Sequence, residues 1–479
     1  MRSGSPAPRT PAETPAEPAP TLETPAKQPV VHHPGNRCED GNVTENFAGL
    51  AQDEVVDICR DLIRIDTTNP GDHSGPGERR AAEYVAGLLS EVGLQPTVLE
   101  SHSKRTSLVA RVEGADPSRP ALLIHGHLDV VPANASDWTL DPFAGEIADG
   151  CVWGRGAVDM KDMDAMILAA VRQRMREGRK PARDVVLAFT ADEEAGGHWG
   201  AGFLVKEHAD LFEGVTEAIG EVGGFSISVG DQRVYAVQTA EKGLAWMRLT
   251  ANGTAGHGSM IHGDNAVTAM AEAIARVGRH QWPVQLPDAT RVFLERASQA
   301  LGVEFDPQDP ASIMGKLGGM SKMIGATTQH TANPTGLTAG YKINVIPQTA
   351  TADLDGRFLP GREDEFLAEI DRLLGPGVTR EFIHHDIALE TTADGDLWDA
   401  MAAALHAEDP DGVVLPYCMS GGTDAKAFSR LGIRCFGFSP LQLPSELDFA
   451  GMFHGIDERV PVDGLRFGVR VLDRLLGSR

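Results

Sequence analysis

The sequence places imidazole and carboxylate groups at five separated points, each where a short apolar run gives way to a loop. "ALLIHGHLDVV" reads as an apolar strand whose tip carries His125, His127 and Asp129. Strand residues two apart project to the same face, so Asp129 stands where it can orient the His127 imidazole. "VWGRGAVDMKDMDAM" puts Asp159 where a glycine-containing loop turns into a helix. Its two oxygens could bridge two cations, or it could serve as an ordinary helix N-cap. "LAFTADEEAGG" ends a buried strand with Asp192, Glu193 and Glu194. Like charges crowded at a strand end repel unless a cation or proton intervenes. Adjacent residues project differently, so one glutamate can bind metal while its neighbour moves a proton; a solvated acidic loop is the competing reading. Glu221 in "AIGEVGGF" and His454 in "FAGMFHGIDER" complete the set. Zinc and its relatives are held by such nitrogen and oxygen donors, and catalytic sites keep one position open. The joint occurrence of His, Asp, Glu, Glu and His therefore suits a two-cation cage.

The surrounding elements are those of an α/β protein. A chain of 479 residues is long for one core, which favours two packed domains with appendages. "DEVVDICRDLIRI" and "GERRAAEYVAGLLSEVG" have helical apolar spacing. "TSLVARVEG", "ALLIHGHLDVV" and "DVVLAFTADEE" read as strands covered on both faces, with a helix in "DMDAMILAAVRQRMREG" between the last two. That alternation is an α/β sandwich signature. Near residue 239 the texture shifts to longer amphipathic strands, then a helix in "DNAVTAMAEAIARVG", a polar helical stretch near 290–330, and further strands. From about 388 the first style returns. The expected organisation is a catalytic domain over 46–238 and 388–479, interrupted by a smaller α/β lid and dimerisation domain over 239–387. Residues 1–45, rich in Pro, Ala, Thr, Glu and Ser, cannot bury enough apolar surface to offset the entropy of ordering and read as a disordered leader. They lack the apolar core of a secretory signal.

Composition narrows the partners. A net charge of -25, from 68 acidic and 43 basic residues, opposes binding to a phosphate backbone, and no dense Lys/Arg stripe offsets it. Nucleic acid is not expected as a partner. No run of about 18 apolar residues is present, so no membrane span is expected. The five cysteines, Cys38, Cys59, Cys151, Cys418 and Cys435, are widely spaced and form no CxxC pair. They suggest neither a disulfide framework nor a thiolate zinc site, and a reducing, cytoplasmic setting fits them.

"HGHLDVVP", "GRGAVDMK", "ADEEAGG", "GEVGGF", "GTAGHGS", "NVIP", "DGRFLPG", "SGGTDA" and "HGIDER" occur in the order and approximate spacing of a known family. Over roughly residues 50–479 the chain resembles the zinc peptidase family that contains aminoacylases, glutamate carboxypeptidase and succinyl-diaminopimelate desuccinylase. The resemblance implies two zinc ions, with cobalt or manganese as substitutes. Asp159 would bridge them, Glu194 and His454 would complete one site, and His127 and Glu221 the other. Glu193 becomes the general base, and Asp159–Met160 a candidate cis peptide bond. His257 of "GHGS" would reach the active site of a partner subunit in a homodimer. Asn344 and Arg357 match family positions that contact substrate, Arg357 suiting a bidentate hold on a carboxylate. Gly422 and Thr423 would line the pocket. His125, His198 and His262 match no ligand role and are read as structural. Where many relatives have glycine after the second ligand glutamate, this chain has Val222, which bears on pocket shape. The implied activity is hydrolysis of the amide bond of peptides or N-acyl amino acids with a free carboxylate; an N-carbamoyl or ureido amino acid amidohydrolase is the alternative.

Overall fold

The computed structural model describes residues 44–317 and 320–478, so the expected leader lies almost wholly outside the described residues. Residues Thr44–Arg479 form one compact unit. Its larger sheet has ten strands and runs in the order Thr97–His102, Arg105–Val112, Val185–Thr190, Ala121–His127, Val215–Gly220, Arg434–Gly437, Gln232–Glu241 and Leu389–Glu390. Val413–Met419 and Ser226–Val229 also pair with Gln232–Glu241. Four central strands, from Val185–Thr190 through Arg434–Gly437, are parallel. Parallel sheets need both faces covered, and this one has them covered. The helices Thr44–Arg64, Lys161–Arg176 and Val462–Gly477 pack with one another on one face, and Ala201–Glu207 and Ala425–Ser429 cover the other. The strand Ala121–His127 is accordingly buried at every position. The α/β class expected from the sequence holds.

A second sheet of four antiparallel strands runs in the order Thr331–Ala339, Thr349–Phe358, Gly243–Asn252 and Val378–Asp386. Its central strands alternate buried and open positions. The helices Ala266–Arg279 and Glu363–Leu374 cover one face. The helices Asp288–Leu301 and Met320–Gly325 lie within the span expected for the inserted domain, yet their apolar residues pack on Val234, Ala236, Leu415 and Tyr417 of the larger sheet. Polar helical texture alone could not say which sheet would cover them. Among the described residues no helix is long and apolar enough to cross a membrane, and Cys59, Cys151, Cys418 and Cys435 are free.

Candidate metal centre

The site forms along the carboxyl edge of the parallel strands, where open α/β sheets present ligand crevices. Ala121–His127 ends on His127, Val185–Thr190 runs out into Asp192, Glu193 and Glu194, and Val215–Gly220 is followed by Glu221. Asp159 comes from the loop ahead of the helix Lys161–Arg176, and His454 from the segment after the turn Ala450–Met452. The Asp159–Met160 peptide is cis.

Asp159 sits between the two imidazoles. Its Oδ1 is 3.0 Å from His127 Nε2 and its Oδ2 is 3.2 Å from His454 Nε2. His127 Nε2 also lies 3.3 Å from Glu221 Oε2, and His454 Nε2 lies 3.0 Å from Glu194 Oε2. The donor atoms thus fall into two halves that share Asp159. Glu193 stands at the His127 half, its Oε2 3.9 Å from His127 Nε2. A donor atom of Glu193 lies within 4.8 Å of donor atoms of His127 and Glu221. Its side chain is 15% exposed against 6% for Glu221, so it is the more open of these two carboxyls.

Protein groups alone leave the charges here poorly matched. Burial raises the Glu221 carboxyl to about 8. Burial, then Glu221, raises Glu193 well above the carboxylate range, and burial with Asp159 also raises Glu194. Burial opposes ionisation of Asp159 too, but the two imidazoles hold it below its usual value. Burial pulls His127 down, yet Glu221 and Asp159 keep it well above its usual value. Hydrogen bonds to Asp159 and Glu194 lift His454 to about 10. Glu194 Oε1 is buried with no hydrogen-bond partner. Carboxylates packed against imidazole nitrogens, with one carboxylate oxygen orphaned, make a donor set that a divalent cation satisfies. The residues fit a metal pair.

Asp129 acts differently from the sequence expectation. His127 Nδ1 is 3.0 Å from the Asp129 backbone carbonyl and 3.6 Å from its carboxylate. The carboxylate is occupied elsewhere: it accepts the backbone N–H groups of Glu193 and Glu194, each at 3.1 Å, and the Asn69 amide at 2.8 Å. The carbonyl therefore orients the ring, while the side chain holds the turn that bears the two glutamates.

The other sequence candidates hold partners of their own. His257 is exposed, with Nδ1 2.8 Å from Ser259 Oγ. It pairs through the short ladder Gly256–His257 with Val345–Ile346, and exposed Asn344 accepts the Gly258 N–H at 2.9 Å. Arg357 already grips Asp355, with contacts of 2.7 and 3.2 Å, and lies over the Trp246 ring. Thr423 donates its hydroxyl to buried Glu241 at 2.7 Å, and a side chain at Gly422 would strike Lys426. His125 is buried against Phe428, and burial followed by His127 lowers it to about 3. His198 packs edge-on to Trp199, and His262 lies against Gly256. Val222 occupies left-handed backbone at φ 54, a conformation that a β-branched residue adopts only under strain. The glycine of many relatives would take it freely.

Two buried groups inside quoted motifs had no sequence assignment. Arg155 of "GRGAVDMK" pairs with Glu458 of "HGIDER", and Glu458 also accepts the Gly156 N–H at 2.6 Å. This pair ties the Asp159 loop to the His454 segment. Opposite charges in the two motifs were the available signal.

The description Peptidase family M20/M25/M40 matches residues 123–478. Aminoacylase-1 of Sus scrofa is 28% identical over 433 residues, covering 88% of this chain and 94% of that protein. N-fatty-acyl-amino acid synthase/hydrolase PM20D1 of Xenopus tropicalis is 26% identical over 459 residues, covering 91% and 87%. The M20 family metallo-carboxypeptidase Sso-CP2 of Sulfolobus solfataricus shares the fold with a TM-score of 0.67 and 19% identity, covering 88% of this chain and 98% of that one.

Proposed function

Because the chain belongs to peptidase family M20/M25/M40, we propose that its edge-of-sheet cage is the active centre of a metal-dependent amidohydrolase. The substrates are peptides or N-acyl amino acids bearing a free carboxylate. The observation that carries the reading is the placement of Asp159 between two imidazole and carboxylate halves, with Glu193 beside one of them. His127, Glu221, Asp159, Glu194 and His454 would hold two divalent cations, zinc in the first instance. Such a pair supplies Lewis-acid polarisation of an amide carbonyl and acidifies water.

The chain's own residues do the rest. Glu193, raised by burial and the more open carboxyl of its half, takes a proton from the attacking water and returns it to the leaving amine nitrogen. Asp129 fixes the backbone from which Glu193 projects. Arg357 leaves Asp355 for the substrate carboxylate, a fork matched to a two-oxygen partner. Asn344 contacts the substrate beside it, and Gly422 and Thr423 shape the wall, Thr423 through its tie to Glu241.

The four-stranded sheet with its two helices is read as a lid and dimerisation domain. Around His257 it carries the fully exposed side chains Ile261 and Ile343, with Met260 and Tyr341 also open. Apolar side chains bared together fit burial against a second copy, which would bring His257 to the partner's cleft and its donor to the developing oxyanion. A cytoplasmic homodimer is the corresponding assembly. Sedimentation should give a dimer that Ile261→Lys converts to monomer; a monomeric parent protein overturns this part.

The function is tested by assaying N-acyl amino acids, dipeptides and N-carbamoyl amino acids with metal-stripped and zinc-restored protein. Zinc-dependent release of free amino acid from the first two classes is expected. Hydrolysis confined to the carbamoyl compounds, or undiminished after stripping, overturns it.

A further inference from the structure

Behind the turn that bears Glu193 and Glu194 lies a buried polar group in which Asn69, Glu78 and Arg105, outside every family motif named above, meet Asp129 and Asp192. Asn69 donates one amide to Asp129 Oδ2 at 2.8 Å and to Asp192 Oδ1 at 3.3 Å. Its carbonyl accepts Arg105 Nη2 at 2.7 Å. Arg105 Nε lies 3.6 Å from Asp192 Oδ1, and its Nη1 pairs with Glu78. Relative exposures are 3% for Asn69, 2% for Arg105 and Asp192, and 0% for Asp129 and Glu78. One guanidinium therefore meets two carboxyl groups, those of Glu78 and Asp192, out of contact with water, and one amide nitrogen spans Asp129 and Asp192.

Those two aspartates hold the turn from opposite sides. Asp129 accepts the N–H groups of Glu193 and Glu194. Asp192 sits in left-handed backbone at φ 67, its carbonyl accepting the Gly197 N–H at 2.7 Å and its carboxylate the Trp199 N–H at 3.0 Å. The distance between the aspartates is set by Asn69, whose own rotation is locked by Arg105. A displacement at Asn69 shifts base and ligand together.

We propose that Asn69 and Arg105 are positioning residues for hydrolysis: they fix Asp129 against Asp192 and so set where Glu193 and Glu194 project. The inference rests on the roles given above to those two glutamates. Both positioning residues are buried, so their effect falls on turnover and cation retention and not on substrate binding.

The test uses zinc-loaded Asn69→Ala and Arg105→Lys variants of the full chain. Expected for Asn69→Ala is a fall in kcat and a rise in the zinc dissociation constant, each about 10- to 100-fold, with KM within about twofold of the parent. In metal-stripped protein, amide hydrogen exchange should quicken over 192–197 while the strand Ala121–His127 keeps its protection. Arg105→Lys, which keeps the charge but not the fork, should fall between Asn69→Ala and the parent, and it decides the matter if Asn69→Ala does not fold. Unchanged kcat and exchange in a folded variant overturns the proposal. So does faster exchange throughout the larger sheet, which would mark general support of the fold. Should Glu193→Gln leave turnover intact, the glutamate roles fail, while exchange over 192–197 still reports whether Asn69 holds the turn.

Discussion

The metal centre and the residues His257, Asn344 and Arg357 are built on opposite plans. His127, Glu193, Glu194 and Glu221 stand at the ends of parallel strands, Asp159 and His454 come from loops, and backbone bonds, a buried ion pair and the Asn69 amide fix the cage from behind. His257 is open to solvent on a two-residue ladder, exposed Asn344 precedes the paired strand, and Arg357 is folded back on Asp355. Under the function proposed above, one region is assembled before a substrate arrives, and the other is completed by substrate or a second subunit. On that reading, the contrast teaches that binding and chemistry can be altered separately.

Glu193→Gln should break the first region most deeply. Loss of the base predicts a fall in kcat of about 10²- to 10⁴-fold, with zinc content by metal analysis unchanged; turnover near the parent's would remove Glu193 from the mechanism. His454→Ala comes next, since it takes away a donor held 3.0 Å from Glu194 and 3.2 Å from Asp159. Zinc retention against a chelator should weaken by about two orders of magnitude, a loss of the scale set by removing direct or supporting ligands, while Glu193→Gln should show no such loss.

The second region is sharpened by mixing subunits. His257→Ala and Glu193→Gln proteins, each poorly active, should recover about a quarter of parental activity when dissociated and reassociated together, because a mixed dimer contains one intact site. No recovery would place His257 in its own subunit's chemistry. The smallest effect belongs to Arg357→Lys, which keeps the charge and loses the fork. KM for a substrate with a free carboxylate should rise about tenfold, equivalent to about 1.4 kcal/mol, with kcat retained. The corresponding substrate amide should be insensitive to the change.

Much of this was legible in the chain. The strands "ALLIHGHLDVV" and "DVVLAFTADEE" announce themselves because a doubly covered strand must be apolar throughout, and each run stops at the residues that converge in the cage. Asp129 was legible as a neighbour of His127 but not in its task, since a period of two gives a face and not a hydrogen-bond partner. Asn69 and Arg105 were illegible. A buried polar residue looks like a surface one in sequence, and their partners lie 60 and 27 residues away. The helix Asp288–Leu301 shows the same limit at the level of the fold: its apolar stripe was readable, but the sheet beneath it was not.

What the sequence determined by itself is the chemical inventory: imidazoles and carboxylates at strand exits, in the order of a metallopeptidase family, because cation binding and proton transfer admit few side-chain types. The tertiary structure alone decided how that inventory is divided. It set Asp159 between two halves, turned the Asp129 carboxylate toward the glutamate turn, and left His257 exposed against Ser259. Distances between strand ends follow the order of strands in the sheet, which places Ala121–His127 between Val185–Thr190 and Val215–Gly220. That order is fixed by packing and pairing over the whole chain, and no local run of residues records it.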